Sequence, residues 1–263
     1  YGPGGRWQSV VAHDSDAVAG APTLDAHFFE ALRPLMEQAL RENRREQWPL
    51  VTLNLDFKTD EPAHHAYIYA LLTRYASWLT TAPRTATPSE PAPLTVGPML
   101  VLTGADSTQR RDFHDRIAIG GRLLLFGAMP SVAIPGSDKT ERTRNAAIWP
   151  APALIPQRVS NYVRWVNFGW NVVEAGGQRN AGDWTDTDHE RLQALVTQAH
   201  AQGLWIRFYT LDGFTAADDR GWTASYNFGT PEAARARWRA AVQSGVDFIA
   251  TDQYELFAAH RQK

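Results

Sequence analysis

The sequence has no cysteine in its 263 residues, which excludes disulfide bonds, thiolate catalysis and cysteine-based zinc sites. The formal net charge is only −2, which gives no support to nucleic-acid binding, since that function normally needs a concentrated basic surface. No apolar run approaches the roughly 20 residues that span a bilayer. No signal peptide is visible, although a mature or trimmed chain would also lack one. The absence of cysteine leaves the compartment open.

What the chain does contain is ample apolar material, with 44% hydrophobic residues and ten tryptophans. This is enough for one large domain, or two small ones, with a substantial core. Tryptophans usually pack in cores, but ten of them in a chain of this length also suggest an aromatic-lined cleft. Both interpretations stay open at this point.

Strand patterns alternate with helix patterns along the chain, which is typical of parallel βαβ units. Strands are predicted near residues 50, 98, 122, 160, 204 and 246, and helices over 24–45, 64–79, 108–115, 186–203 and 230–245. The stretches 80–93 and 129–158 are predicted as irregular. No glycine-rich phosphate fingerprint follows any strand, which disfavours an open nucleotide-binding sheet. The pattern therefore predicts a TIM (β/α)₈ barrel.

Such a barrel closes with eight strands, whereas the sequence offers six. The segment 7–13 is predicted as one arm of a hairpin, and "GPGG" at residues 2–5 resembles a turn entered from an earlier strand. We therefore expect residues 1–263 to form a single barrel domain that is incomplete at its N-terminus, with the first two strands absent.

The stretch "LVTLNLDFKTDEP" (50–62) places Asn54, Asp56 and Lys58 at alternate positions of a strand pattern. Side chains alternate between the two faces of a strand, so one face is apolar and the other ends in a carboxylate and an amine. One interpretation is an edge strand with its polar face in water. The other is a barrel strand that ends at a reaction site, because active sites of such barrels lie at the carboxyl ends of the strands.

Other strand patterns also end in polar side chains, namely His13, Arg207, Tyr209 and Asp252. Carboxylate and imidazole groups suit acid–base chemistry, and lysine and arginine suit an anion such as phosphate. Simpler interpretations remain for each. Asp56 and Lys58 could be a structural ion pair, Arg207 could bind a neighbouring carboxylate, and His13 could be an ordinary surface or core residue. His64 and His65 are predicted to be a pair on a helix surface.

Four segments occur in the order seen in one superfamily: "VVAHD" (10–14), "LNLDFKTDEP" (53–62), "LWIRFYTLDG" (204–213) and "GVDFIATDQYE" (245–255). The chain resembles a bacterial member of the PI-PLC-like phosphodiesterases, related to glycerophosphodiester phosphodiesterases and altered-inheritance-of-mitochondria type proteins. The resemblance implies a TIM barrel that hydrolyses a glycerophosphodiester or phospholipid-type phosphodiester by general acid–base catalysis. It also implies one Mg²⁺ or Ca²⁺ and a small-molecule or lipid-headgroup substrate.

Within this resemblance, His13 and Lys58 correspond to catalytic residues and Asp56 to the metal-binding acid. The residues that would contact the substrate are Asn54, Arg207, Tyr209 and Asp252. A first histidine and a Glu-x-Asp metal pair of the superfamily would lie upstream of Tyr1, and we expect them there. Glycoside hydrolysis by Asp56 and Asp252 is an alternative, as is a barrel that binds a ligand without catalysis. The sequence does not indicate an oligomeric state.

Overall fold

The computed structural model describes residues 8–48, 50–218 and 224–261, without the side chains of residues 15, 260 and 261. The predicted turn at residues 2–5 lies outside these ranges. The described residues form two compact units. Unit 1 runs to Ala128 and includes Val159–Val163, and unit 2 comprises Met129–Arg158 and the chain from Arg164 onward. The expectation of a single domain stays a prediction.

Unit 1 contains a parallel sheet in which β1, β3 and β5 are neighbours in that order, and a short antiparallel pair of β2 with β4. The strand bounds are β1 (Val51–Leu55), β2 (Ala82–Pro83), β3 (Met99–Thr103), β4 (Arg122–Leu123) and β5 (Phe126–Ala128). The central strand β3 is buried along its whole length, because neighbouring strands flank it and helices cover it.

The helices of unit 1 follow the predicted positions with different ends. A π-helical segment, Asp25–Glu30, leads into α1 (Ala31–Glu42), and α2 spans Pro62–Arg74. The short α3 (Ser107–Arg110) leads into a second π-helical segment, Arg111–Asp115. Within residues 8–13, the described part of the predicted hairpin arm, one antiparallel bridge forms, between Val10 and Thr23.

Unit 2 contains a parallel sheet in the order β6, β7, β8. Its elements are α4 (Lys139–Ile148), α5 (Ala151–Leu154), β6 (Val163–Gly169, with its first residue in unit 1), α6 (Asp186–Ala201), β7 (Trp205–Tyr209), α7 (Pro231–Ser244), β8 (Phe248–Ile249) and α8 (Tyr254–Arg261). The helix signals are confirmed at α7. Thr230 caps the first turn, Pro231 is the first helical residue, and Gly245 ends the helix with a φ of 80°.

The chain thus has an α/β fold with parallel strand pairing, as predicted, and each unit holds three successive parallel strands. Closure into a barrel stays a prediction. The prediction that the stretch 129–158 is irregular is wrong, since this stretch contains α4 and α5. Asp138 caps α4 by accepting a hydrogen bond from the backbone N–H of Glu141, so a start signal was present. Among the described residues, no helix is long and apolar enough to cross a membrane.

Candidate functional site

Strand β1 has the alternation that its sequence predicts. Leu53 and Leu55 are each only 9% exposed, whereas Asn54 is exposed. Leu55 lies opposite Thr103 in register, and the Thr103 hydroxyl donates a hydrogen bond of 2.7 Å to Gln109 of α3. Because directly opposed residues share a face, the leucine face is the one that the helices cover. Asn54 therefore lies on the opposite face.

The same alternation continues past the end of β1. Phe57 packs on the helix side, with its ring centroid 5.0 Å from that of His65 and 5.6 Å from that of Phe113. Asp56 and Lys58 are exposed, and the Lys58 Nζ lies 2.8 Å from the Asp56 Oδ2. The carboxyl end of β1 therefore presents a paired carboxylate and ammonium to solvent, where both groups remain accessible to a ligand.

A buried contact between His65 and Asp112 holds the segments after β1 and β3 together. The His65 side chain is fully buried, so its prediction as a helix-surface residue is wrong. Its Nδ1 lies 2.8 Å from the Asp112 Oδ2, and its Nε2 lies 3.9 Å from the Asp60 Oδ1. The Arg111 guanidinium and, after it, His65 hold the pKa of Asp112 at about 2. This contact fixes the base of the loop that carries Asp56 and Lys58.

His13 lies on the surface of unit 1, with its Nδ1 3.3 Å from the Asp14 Oδ2. A carboxylate beside one ring nitrogen orients the ring. The segment before it is anchored to α2, since the Ser9 Oγ lies 3.1 Å from the His64 Nε2. Burial, and then the neighbouring His65, lowers the pKa of His64.

In unit 2, Arg207 and Tyr209 share one face of β7, while Ile206 and Phe208 are fully buried on the other. The Arg207 Nη1 donates a hydrogen bond of 2.8 Å to the Oδ1 of Asn167, its register partner on β6. The Arg207 Cζ lies 5.7 Å from the centroid of the Tyr209 ring, and burial raises the pKa of that phenol. The sequence pattern did not single out Asn167, although its parity in "VRWVNFG" places it on this face.

Asp252 follows β8 and has an exposed side chain. Its backbone N–H donates a hydrogen bond of 2.8 Å to the Oδ1 of Asp212, which also accepts one of 2.7 Å from the Thr251 hydroxyl. Asp212 is 1% exposed and lies shortly after the end of β7 at Tyr209. The predicted site residues therefore divide between the units, with His13, Asn54, Asp56 and Lys58 in unit 1 and Arg207, Tyr209 and Asp252 in unit 2.

A buried ion pair of unit 2 was not predicted. Arg237 donates two hydrogen bonds to the Glu174 carboxylate, of 2.9 and 2.6 Å, and both side chains are buried. Trp170, which is fully buried, adds a third donor to Glu174 at 2.6 Å. Trp165 and Trp238 are fully buried as well, so core packing accounts for these three tryptophans.

The described residues do not by themselves fit a divalent metal. Within residues 8–48, 50–218 and 224–261, no group of three histidine, aspartate or glutamate side chains is placed to hold a metal ion. Asp56, the expected metal ligand, is paired with Lys58 instead. The requirement for Mg²⁺ or Ca²⁺ stays a prediction from the resemblance.

Comparison with known proteins gives a structural match of low similarity. Neither a family model nor a curated protein sequence matches it. A solved glycerophosphoryl diester phosphodiesterase from Parabacteroides distasonis is similar over 92% of this chain, with 14% identity and a TM-score of 0.34. The match covers 55% of that protein, so this chain spans about half of its length. A similarity of this size leaves membership of the superfamily a prediction.

Proposed function

We propose that this chain acts on a phosphodiester, with the carboxyl end of β1 as part of the reacting surface. The observation that carries the proposal is the exposed pair of Asp56 and Lys58, whose charged atoms lie 2.8 Å apart at that end of the strand. In α/β folds with parallel strands, ligands bind at the carboxyl ends of the strands. An ammonium group there suits an anionic phosphate better than a neutral sugar.

The proposed roles follow from the chemistry of each side chain. Lys58 neutralises charge on the phosphate oxygens, which is greatest in the transition state. Asp56 holds the ammonium group in place through their ion pair. His13, with Asp14 beside one ring nitrogen, exchanges a proton with the attacking water or the leaving alcohol. Arg207, Tyr209 and Asp252 stay predicted substrate contacts, each to be tested by its own variant.

The test is hydrolysis of an aryl phosphodiester by the intact protein, compared with an aryl glycoside, each with and without EDTA. Lys58→Ala should lower kcat on the phosphodiester by about 100-fold or more, the usual loss when one charge-stabilising group is removed. Asp56→Asn should also lower activity, yet leave the Tm nearly unchanged because its side chain is 73% exposed.

Glu232→Gln is the matched control, since Glu232 is also exposed and lies 3.2 Å from a cation, Arg235, on α7. It should retain wild-type activity. Wild-type rates in Asp56→Asn and Lys58→Ala would show that the pair is only structural. Hydrolysis of the glycoside alone would replace the proposal by the glycosidase alternative, and no turnover of either substrate would favour a binding protein.

A further inference from the structure

The carboxyl group of Asp212 is buried shortly after β7, and its two oxygens differ in their hydrogen bonding. Oδ1 accepts hydrogen bonds from the Thr251 hydroxyl and the Asp252 backbone N–H. Oδ2 is buried and has no hydrogen-bond donor among the described residues. Asp212 is 1% exposed, so bulk water does not provide that donor either.

The segment around Asp212 is fixed on several sides by hydrogen bonds. The Leu211 carbonyl accepts one of 2.8 Å from the Trp238 ring N–H of α7, and the Asp212 carbonyl accepts one of 2.8 Å from the Phe228 backbone. The Gly213 N–H donates one of 2.6 Å to the Gln253 side chain. Neither Trp238, Phe228 nor Gln253 titrates near neutral pH.

The charged group that acts on Asp212, among the described residues, is the carboxyl group of Asp252. No ion pair of Asp212 with a cation occurs in the part of the chain that the structure describes. An ionised carboxylate with one unsatisfied buried oxygen is costly, and a nearby negative charge adds to that cost. Burial and then the Asp252 carboxyl group accordingly raise the pKa of Asp212.

We propose that Asp212 is a positioning residue that acts as a neutral carboxylic acid and fixes Thr251 and Asp252 at the carboxyl end of β8. Its Oδ1 holds the backbone at the point where the exposed Asp252 side chain emerges. The use of Asp252 in substrate binding rests on the proposed function, whereas the structural role of Asp212 does not. Ionisation of Asp212 would place an uncompensated charge under this strand end and loosen it.

The sign of the pH effect follows from the raised pKa. Between the ordinary aspartate pKa of about 3.9 and the raised pKa of folded-state Asp212, the folded wild type retains a proton that the unfolded state has lost. The contribution of Asp212 to stability is therefore present at pH 4 and is lost as the pH rises through the folded-state pKa. Asp212→Asn carries no titratable group and keeps an acceptor for Thr251 and Asp252, so it is free of this loss.

The experiment compares the Tm of the wild type, Asp212→Asn and Asp212→Ala at pH 4 and pH 8. The Tm of Asp212→Asn minus that of the wild type should rise between pH 4 and pH 8. A difference that stays flat or falls would overturn the proposal. Asp212→Ala should melt below Asp212→Asn at both pH values, because the two donors lose their acceptor, and equal melting of the two variants would also contradict it.

Asp106→Asn is the control, since Asp106 accepts a hydrogen bond of 2.6 Å from the Thr108 backbone N–H, and its contacts with Thr108 lower the pKa of its carboxyl group. A carboxylate with a lowered pKa stays ionised between pH 4 and pH 8, so the Tm of Asp106→Asn minus that of the wild type should stay flat. Infrared spectra recorded from pH 3 to pH 8 should show a protonated carboxyl band in the wild type that persists above the pH range of ordinary aspartates and that Asp212→Asn lacks. Absence of that band would refute a neutral Asp212.

Activity gives a separate readout. If the wild type hydrolyses the aryl phosphodiester, Asp212→Asn should keep that activity and Asp212→Ala should lose it. Loss of activity in both variants would refute positioning by the neutral acid. An inactive wild type would refute the proposed function, and the melting and infrared results would still decide the role of Asp212.

Discussion

Removal of the Glu174 carboxylate should destabilise unit 2 strongly, because the Arg237 guanidinium would stay buried without its counter-charge. The Arg237 side chain is 2% exposed and that of Glu174 is 6% exposed. Arg237 also donates a hydrogen bond of 2.6 Å to the Gly182 carbonyl, and its Cζ lies 5.0 Å from the centroid of the Phe228 ring. These contacts hold the guanidinium in place after the glutamate is removed, so it cannot escape to solvent at low cost.

The expected cost of Glu174→Ala is about 3–5 kcal/mol, the usual range when one partner of a buried ion pair is removed. That range includes the Trp170 ring N–H, which donates to Glu174 in the wild type and loses its acceptor. For a chain of this size, each kcal/mol lowers the Tm by about 2–4 °C. The variant should therefore melt about 6–20 °C below the wild type.

Urea unfolding followed by tryptophan fluorescence measures the free energy of unfolding of the wild type, of Glu174→Ala and of the double variant Glu174→Leu/Arg237→Met. The double variant removes both charges and should be more stable than Glu174→Ala, because no unpaired ion remains. Glu232→Ala on α7 is the exposed control and should change the free energy of unfolding by less than about 0.5 kcal/mol. A cost below about 1 kcal/mol for Glu174→Ala, or a double variant less stable than it, would refute the reasoning.

Two further predictions concern single elements. Asp112→Asn should lose less stability than the wild type between pH 4 and pH 2. The pKa of Asp112 is lowered to about 2 in the folded state, so ionised Asp112 stabilises the fold above the ordinary aspartate pKa. That stabilisation disappears as acid protonates the carboxylate. Acid melting curves measure this, and identical acid slopes would contradict it. Thr185→Ala should cost about 1 kcal/mol because Thr185 and Asp188 form a reciprocal capping box at the start of α6. Thr185→Ser should restore most of that stability in thermal melts, and failure to do so would show that the cap is not the cause.

The sequence predicted those features that depend on local order along the chain. The apolar and polar faces of β1 and β7 follow from residue parity, and both are found as predicted. The start and end of α7 follow from Thr230, Pro231 and Gly245, whose backbone preferences act within one or two turns. Helix α4 was missed because its ten residues, "KTERTRNAAI", carry little apolar periodicity.

Features that depend on distant partners could not be predicted in the same way. His65 was assigned to a surface, because nothing near it in the sequence indicates Asp112, which lies 47 positions away. Glu174 and Arg237 are 63 positions apart, and each is an ordinary charged residue until the fold brings them together. Asp212 stands in a visible strand-end motif, "TLDG", yet its burial depends on β8 and α7. Among the predicted site residues, Arg207 shares this limitation because its partner Asn167 lies on β6, whereas Asp56 and His13 contact residues near them in the sequence.

Because side chains alternate between the two faces of β1, substitutions at neighbouring positions have different effects on the fold. Leu53 and Leu55 lie on the helix-covered face, so substitutions there change the core and its stability. Asn54, Asp56 and Lys58 are exposed, so substitutions there leave the packing largely intact. Within residues 53–58, positions that the core requires thus alternate with exposed positions. The chemistry of this strand end could therefore be changed one residue at a time, without compensating changes elsewhere to restore stability.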